Sequence, residues 1–204
     1  MQFVILLIVI IVAFIALYIK ASNLEKSSSD PKPLELLASF LSDKNEGVVE
    51  NVRFYLNSPK AYFEKHTDNL SQRGIERAEE VTSAFVLIDA LLPLDKIVYQ
   101  DHKADPSEVL EMLNNLSQGK LKEGEGYAAL SEHYKQSKFG IGEFLETDSS
   151  APSIFECISS TGLKLLAINE DSDSYALVLI DGNELERFIQ VATEADIRIN
   201  FNDK

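Results

Sequence analysis

Four residues whose side chains suit acid–base or metal chemistry lie close behind predicted strands. They are Asp101, His102, Asp171 and Asp173. The first two follow the apolar run at residues 97–99, and the last two follow the run at residues 163–168. Polar groups converge at strand ends in α/β folds. Such a set could hold a divalent cation or form an acid–base pair, as a hydrolase or a metal-dependent enzyme requires.

A polar turn explains the same residues without any chemistry. Asp105 stands directly before Pro106, where its side chain would cap the next helix, and Lys103 can pair with a neighbouring carboxylate. Asp89, Asp171 and Asp173 could join Asp101 and His102 if the C-terminal strands lie alongside. The turn is the favoured interpretation, so the four residues remain weak candidates. The catalytic residues are unknown, and neither a metal site nor a cofactor is predicted.

Residues 169–174 resemble a calcium-binding loop because oxygen-bearing side chains alternate along them. The comparison fails at two positions. Ser174 stands where the turn needs glycine, and Ile180 stands where a bidentate glutamate is required. An Asx-rich turn between two strands is predicted instead, because Asp and Ser side chains satisfy the backbone donors of such a turn.

The histidines and the single cysteine form no recognisable site. The histidines are His66, His102 and His133, and none has a second ligand three or four residues away. No GxSxG, HExxH or phosphate-binding glycine loop is present. Cys157 has no partner for an internal disulfide, and its apolar neighbours favour a buried structural thiol.

The charge of the chain excludes one class of partner. Residues 21–204 carry 18 Lys and Arg against 33 Asp and Glu, which gives a formal charge of −15. The basic residues are scattered among acidic ones, so no basic patch is predicted to meet a phosphate backbone. We expect no nucleic-acid binding, and a basic protein becomes the natural partner.

The first twenty residues predict a membrane anchor. Residues 3–19 are seventeen uncharged, mostly apolar residues, long enough as a helix to span about 25 Å of the membrane. No basic segment precedes them, which argues against a cleaved signal peptide. Lys20 and Lys26 follow them and orient the rest of the chain towards the cytoplasm. We therefore expect a single-pass protein of a bacterial inner membrane, with a linker over residues 21–33.

Behind the linker the sequence predicts an α+β domain over residues 34–204. It is helix-rich, with a small mixed sheet and helices on one or both faces, and it ends in a β-β-α-β unit. Helices are predicted over residues 34–41, 48–56, 74–92, 106–116, 127–136, 141–146 and 182–195, with another starting near Pro59. Strands are predicted over residues 97–99, 163–168, 175–180 and 197–201.

Several stretches of this domain together resemble a known bacterial family. They are residues 85–91, 101–108, 166–168 and 171–179. They are similar to domain-of-unknown-function family 6630 over residues 75–201. That family carries an aromatic residue, usually tryptophan, where this chain has His102. The resemblance implies an α+β domain from a bacterium and no assigned activity, and it leaves out the helices of residues 34–66.

Three functions follow as hypotheses. The preferred one is a non-enzymatic interaction module at the membrane that binds a basic partner; an immunity protein that neutralises a basic toxin would be one instance. The alternative is a hydrolase or metal-dependent enzyme that uses Asp101, His102, Asp171 and Asp173. The third is an envelope or scaffold component that spaces other proteins.

Overall fold

The computed structural model describes residues 31–147 and 153–200. The predicted anchor at residues 3–19 and most of the predicted linker lie outside this part of the chain. None of the helices in the described part is both long and apolar enough to cross a membrane.

Four α-helices precede the first strand in the described part of the chain. They are α1 (Pro33–Leu41), α2 (Glu46–Asn57), α3 (Pro59–Gln72) and α4 (Ser83–Leu91). Local capping explains where they start. The Asn45 side chain accepts a hydrogen bond from the Val48 N–H at 3.3 Å, and Pro59 occupies the first turn of α3, where no backbone donor is needed. The helices predicted over residues 34–41 and 48–56 are thereby confirmed.

The long helix predicted over residues 74–92 is wrong in its first half. Residues Ala78–Glu80 form a short 3-10 turn, and α4 begins only at Ser83. The cause is the Glu80 carboxylate, which accepts hydrogen bonds from the N–H groups of Glu76 at 2.9 Å and Arg77 at 3.1 Å. A side chain that satisfies nearby backbone donors in this way competes with helix formation.

The sheet has four strands in the described residues. They are β1 (Val98–Asp101), β2 (Leu163–Ile168), β3 (Ser174–Asp181) and β4 (Ile199–Asn200), in the order β1-β3-β2-β4. All three pairings are antiparallel, so the prediction of a mixed sheet is wrong. The reason is the strand order. β3 and β4 run in the same direction, but β2 lies between them, so the helix that joins them creates no parallel neighbours.

Five more α-helices accompany the sheet within residues 31–147 and 153–200. They are α5 (Pro106–Leu116), α6 (Tyr127–Lys135), α7 (Ile141–Thr147), α8 (Ile154–Ser159) and α9 (Leu185–Glu194). Asp105 caps α5, as predicted, through hydrogen bonds from the N–H groups of Ser107 at 2.7 Å and Glu108 at 3.2 Å. Helix α8 was not predicted. Its start is a reciprocal capping pair between Ser153 and Glu156.

The sheet is covered by helices on both faces because apolar side chains alternate along its strands. One face presents Leu166, Ile168, Ala176, Val178 and Ile180 to a core shared with α1–α4 and α9. The other presents Val98, Leu165, Ala167 and Leu177 to a core shared with α5–α8, which includes the buried Cys157. On the first side, the Phe40 and Phe188 rings join α1 to α9 at 5.7 Å between centroids.

Candidate functional site

The turn between β2 and β3 carries two of the candidate residues and is built from its own polar side chains. The Asn169 side chain accepts a hydrogen bond from the Asp171 N–H at 2.7 Å, and Ser172 Oγ accepts one from the Ser174 N–H at 3.1 Å. Asp171 adopts a left-handed backbone with φ of 61°, which aspartate tolerates better than most residues. The predicted Asx-rich turn is confirmed.

This turn forms one wall of an open cleft of about 620 Å³ at the end of the sheet. We call it the acidic cleft. Its lining residues are His102, Glu146, Ala167, Ile168, Asn169, Asp171, Ser172, Asp173, Ser174, Tyr175 and Asn200. The structure therefore brings together three of the four candidates, His102, Asp171 and Asp173. Among the residues that the structure describes, no lysine or arginine lines the cleft.

The fourth candidate, Asp101, lies beside the acidic cleft rather than in its lining. Its Oδ1 lies 3.4 Å from His102 Nδ1 and accepts a hydrogen bond from the Lys103 N–H at 2.8 Å. The His102 N–H in turn donates to the Asp173 carbonyl at 3.1 Å, which continues the β1–β3 ladder into the turn. Asp101 therefore stabilises the turn that follows β1, and it also lies next to the His102 imidazole.

The carboxylates of the acidic cleft are exposed to water. The Asp171 side chain is 67% exposed and forms an ion pair with Arg198, while His102 is 42% exposed. Asp173 is exposed and has no ion-pair partner among the described residues. Within the same part of the chain, no three His, Cys, Asp or Glu side chains are placed to hold a metal ion.

Glu146 and Tyr175 line the acidic cleft and were not predicted from the sequence as site residues. The Tyr175 hydroxyl donates a hydrogen bond to the Glu146 carboxylate, which α7 supplies. Burial, followed by this contact with Glu146, raises the pKa of Tyr175 well above its ordinary value, so the hydroxyl keeps its proton. The two residues are 29 positions apart, and no local pattern signals their contact.

Close backbone contact positions α7 against the end of β1. The N–H of Ile141 donates to the Ala104 carbonyl at 2.9 Å, and the N–H of Gly142 donates to the His102 carbonyl at 3.0 Å. A Cβ on Gly140 would lie 2.4 Å from the His102 carbonyl oxygen, so only glycine fits there. This approach brings Glu146 to the same cleft as His102.

An ion pair anchors the β2–β3 turn from the opposite side of the sheet. Arg73, at the end of α3, donates to the Glu170 carboxylate at 2.9 Å and to the Tyr99 hydroxyl at 3.1 Å. Tyr99 also donates to Glu170, and the Arg73 guanidinium lies 4.1 Å from the Phe85 ring centroid. The Glu170 side chain is only 6% exposed, so this contact holds the turn rather than meeting a ligand.

The remaining polar candidates lie elsewhere. Asp89 is in α4, on the side of the sheet opposite the acidic cleft, near the stacked pair of Tyr62 and His66. Asp105 serves the α5 cap. Asp89 does not join His102, so the larger cluster that included it does not form.

Comparison with known proteins identifies a family and nothing closer. No curated protein and no solved structure matches the chain. A family described as "Domain of unknown function (DUF6630)" matches residues 33–202. The match starts earlier than the resemblance seen over residues 75–201, so the helices of residues 34–66 belong to it, in keeping with the core that α1–α3 share with the sheet. The chain is a member of the DUF6630 family of domains of unknown function.

Proposed function

We propose that this chain is a non-enzymatic protein-interaction module, attached to a bacterial inner membrane, whose acidic cleft binds a basic partner protein. An immunity protein that neutralises a basic toxin is one form that such a module takes. The partner's lysine or arginine side chains enter the cleft and meet its carboxylates.

The lining of the acidic cleft is the observation that supports this proposal most. Glu146, Asp171 and Asp173 supply three carboxylates around an open space of about 620 Å³, and no basic side chain of the described residues lines it. Only Asp171 has a cationic partner in the described residues, the exposed Arg198. Exposed carboxylates around a concave surface focus a negative potential, which speeds the approach of a basic protein.

The matched experiment removes charge from the cleft and, in a control, from elsewhere. The cleft variant carries Glu146→Gln, Asp171→Asn and Asp173→Asn. The control variant carries three changes of the same kind at exposed residues outside the cleft, Glu64→Gln, Asp68→Asn and Glu186→Gln. Both variants lose the same net charge, so a difference between them reports the position of the charge.

The full chain and both variants are purified from native membranes in mild detergent, and co-purifying proteins are quantified by mass spectrometry. We expect a basic protein that accompanies the wild type and the control variant and is at least tenfold depleted with the cleft variant. Equal recovery with all three chains refutes the role of the cleft. Recovery of the wild-type chain alone refutes the interaction module.

Membrane attachment rests on residues 3–19, and orientation rests on Lys20 and Lys26. We expect the full chain to stay in the membrane pellet after alkaline carbonate extraction, and a chain that lacks residues 1–20 to appear in the supernatant. A C-terminal green fluorescent protein should fluoresce, whereas a C-terminal alkaline phosphatase should stay inactive. The opposite pair of results places the domain outside the cytoplasm.

A hydrolase remains the second candidate because His102, Asp171 and Asp173 share one cleft and Asp101 lies 3.4 Å from the His102 imidazole. A carboxylate next to histidine is how many enzymes orient a general base. Hydrolysis of p-nitrophenyl acetate or p-nitrophenyl phosphate that disappears in His102→Gln would establish this candidate. The interaction module predicts no such activity in either chain.

A further inference from the structure

The outer edge of β1 is an open strand edge. β1 is the terminal strand of the sheet, and no strand in the described part of the chain pairs with its outer side. The hydrogen bond from the His102 N–H to the Asp173 carbonyl fixes which residues face β3. Since the backbone direction alternates along an antiparallel strand, Gln100 also faces β3, and Tyr99 points its N–H and C=O away from it.

A groove runs along this edge. It measures about 550 Å³ and is lined by Ile97, Val98, Tyr99 and Gln100 of the edge, by Leu92 and Asp95 before it, and by Met112, Asn115 and Leu116 of α5. We call it the edge groove. Met112 is 39% exposed, so the α5 wall offers apolar surface to an occupant. A four-residue strand is roughly 13 Å long and pairs with about four residues of an added strand.

Charge identifies the occupant. Asp95 and Asp101 flank the edge at its two ends, and neither pairs with a lysine or arginine within the described residues. No basic residue of the described ranges lines the edge groove. An added strand with lysine or arginine at both ends and apolar side chains between them would match both features.

A second copy of the chain fits this edge poorly. Antiparallel pairing of two β1 strands would bring the acidic ends of one edge against those of the other. Each chain also carries a formal charge of −14. Like charges opposite each other destabilise a strand pair, so self-association through this edge is disfavoured.

We infer that the edge groove is a second binding site, where an extended basic segment of a partner protein adds a strand to β1. The class of the occupant, a basic protein, rests on the proposed function, whereas the site is separate from the acidic cleft. Backbone hydrogen bonds at Tyr99 hold the segment, and Asp95 and Asp101 select its basic ends.

Three synthetic peptides test this inference. The first has lysine at both ends and alternating valine and threonine between them. The second replaces the central valine with proline, which cannot pair as an inner strand residue, and the third replaces both lysines with glutamine. The full chain in mild detergent is mixed with each peptide, and backbone hydrogen exchange of residues 97–101 is followed by mass spectrometry.

We expect the first peptide to slow exchange of the outward-facing Tyr99 N–H, within residues 97–101, by about tenfold or more at saturation, and the proline peptide to leave it unchanged. The glutamine peptide should give the same protection only at about threefold to tenfold higher concentration, since each flanking charge contributes modestly at a surface. Equal protection by the proline peptide overturns strand addition. Equal potency of the glutamine peptide overturns the charge selection.

Matched variants separate this site from the acidic cleft. Asp95→Asn with Asp101→Asn should weaken the first peptide, and Asn suits the left-handed backbone of Asp95, whose φ is 52°. The cleft variant should bind it as the wild type does. If no peptide protects the wild type, the binding site at the edge groove is refuted, and the cleft experiment is unaffected. If protection appears without peptide and grows with chain concentration, the occupant is a second copy of the chain instead.

Discussion

The contact of Arg73 with Glu170 should stabilise the fold far more than an exposed ion pair does. Replacing Arg73 with methionine removes a charged hydrogen bond of 2.9 Å to a carboxylate that is 6% exposed, and it removes the guanidinium from the Phe85 ring. A hydrogen bond to a buried charge contributes about 1.5–3 kcal/mol, and a cation–π contact adds about 0.5–1 kcal/mol. We expect Arg73→Met to lower the free energy of unfolding by about 2–4 kcal/mol.

A double-mutant cycle tests whether this loss comes from the pair itself. The cycle compares Arg73→Met, Glu170→Gln and the double variant of the full chain by urea unfolding, followed by far-ultraviolet circular dichroism. The sum of the two losses of unfolding free energy in the single variants should exceed the loss in the double variant by about 1.5 kcal/mol or more. The exposed pair of Arg77 and Glu80 is the matched control, and its coupling should be much smaller because solvent screens it. Additive losses at Arg73 and Glu170 would refute the assigned role of this contact.

Three further predictions address packing, pH and thiol chemistry. Gly140→Ala should destabilise the chain by about 1–3 kcal/mol in urea unfolding because the added Cβ would lie 2.4 Å from a backbone atom. In the control, Gly47→Ala, the added Cβ would lie 3.2 Å from a side-chain atom, so stability should change little. Equal losses in the two variants would refute the close approach at Gly140. Burial lowers the pKa of His66 below its ordinary value, so stability from this group is complete above about pH 6.5 and declines as the pH falls through the folded pKa. His66→Gln should therefore lose less stability than the wild type between about pH 7.5 and pH 5, and an unchanged pH dependence would contradict this. Burial raises the pKa of the fully buried Cys157 thiol, so the native chain should react with Ellman's reagent only after unfolding, and rapid native reaction would show the thiol to be accessible.

The secondary structure could be predicted where the signal is local. Strand β2 occupies residues 163–168 as predicted, because its apolar residues are buried on both faces and Gly162 precedes it. The start of α5 was equally clear, since Asp105 and Pro106 form a cap and a first turn. The helix predicted from residue 74 failed because the Glu80 side chain satisfies backbone donors that a helix would otherwise use.

The strand order and half of the site depend on contacts between distant residues. Nothing in the local pattern of β3 or β4 indicates that β2 lies between them, so the antiparallel sheet was mistaken for a mixed one. His102, Asp171 and Asp173 were found because each lies in a turn of charged residues close to a strand end. Glu146 was missed because it is an ordinary helical glutamate until Gly140 and Gly142 bring α7 against β1.

Site-specific photo-cross-linking tests the central claim, that the acidic cleft binds a basic protein, most directly. Benzoylphenylalanine replaces Ser172, which lines the cleft, in one chain and the exposed Glu64 in a second chain, and both are irradiated in native membranes. We predict a covalent adduct with one basic protein from the Ser172 position, weakened by added salt and absent from the Glu64 position. No adduct at Ser172, or the same adducts from both positions, would contradict the proposed function.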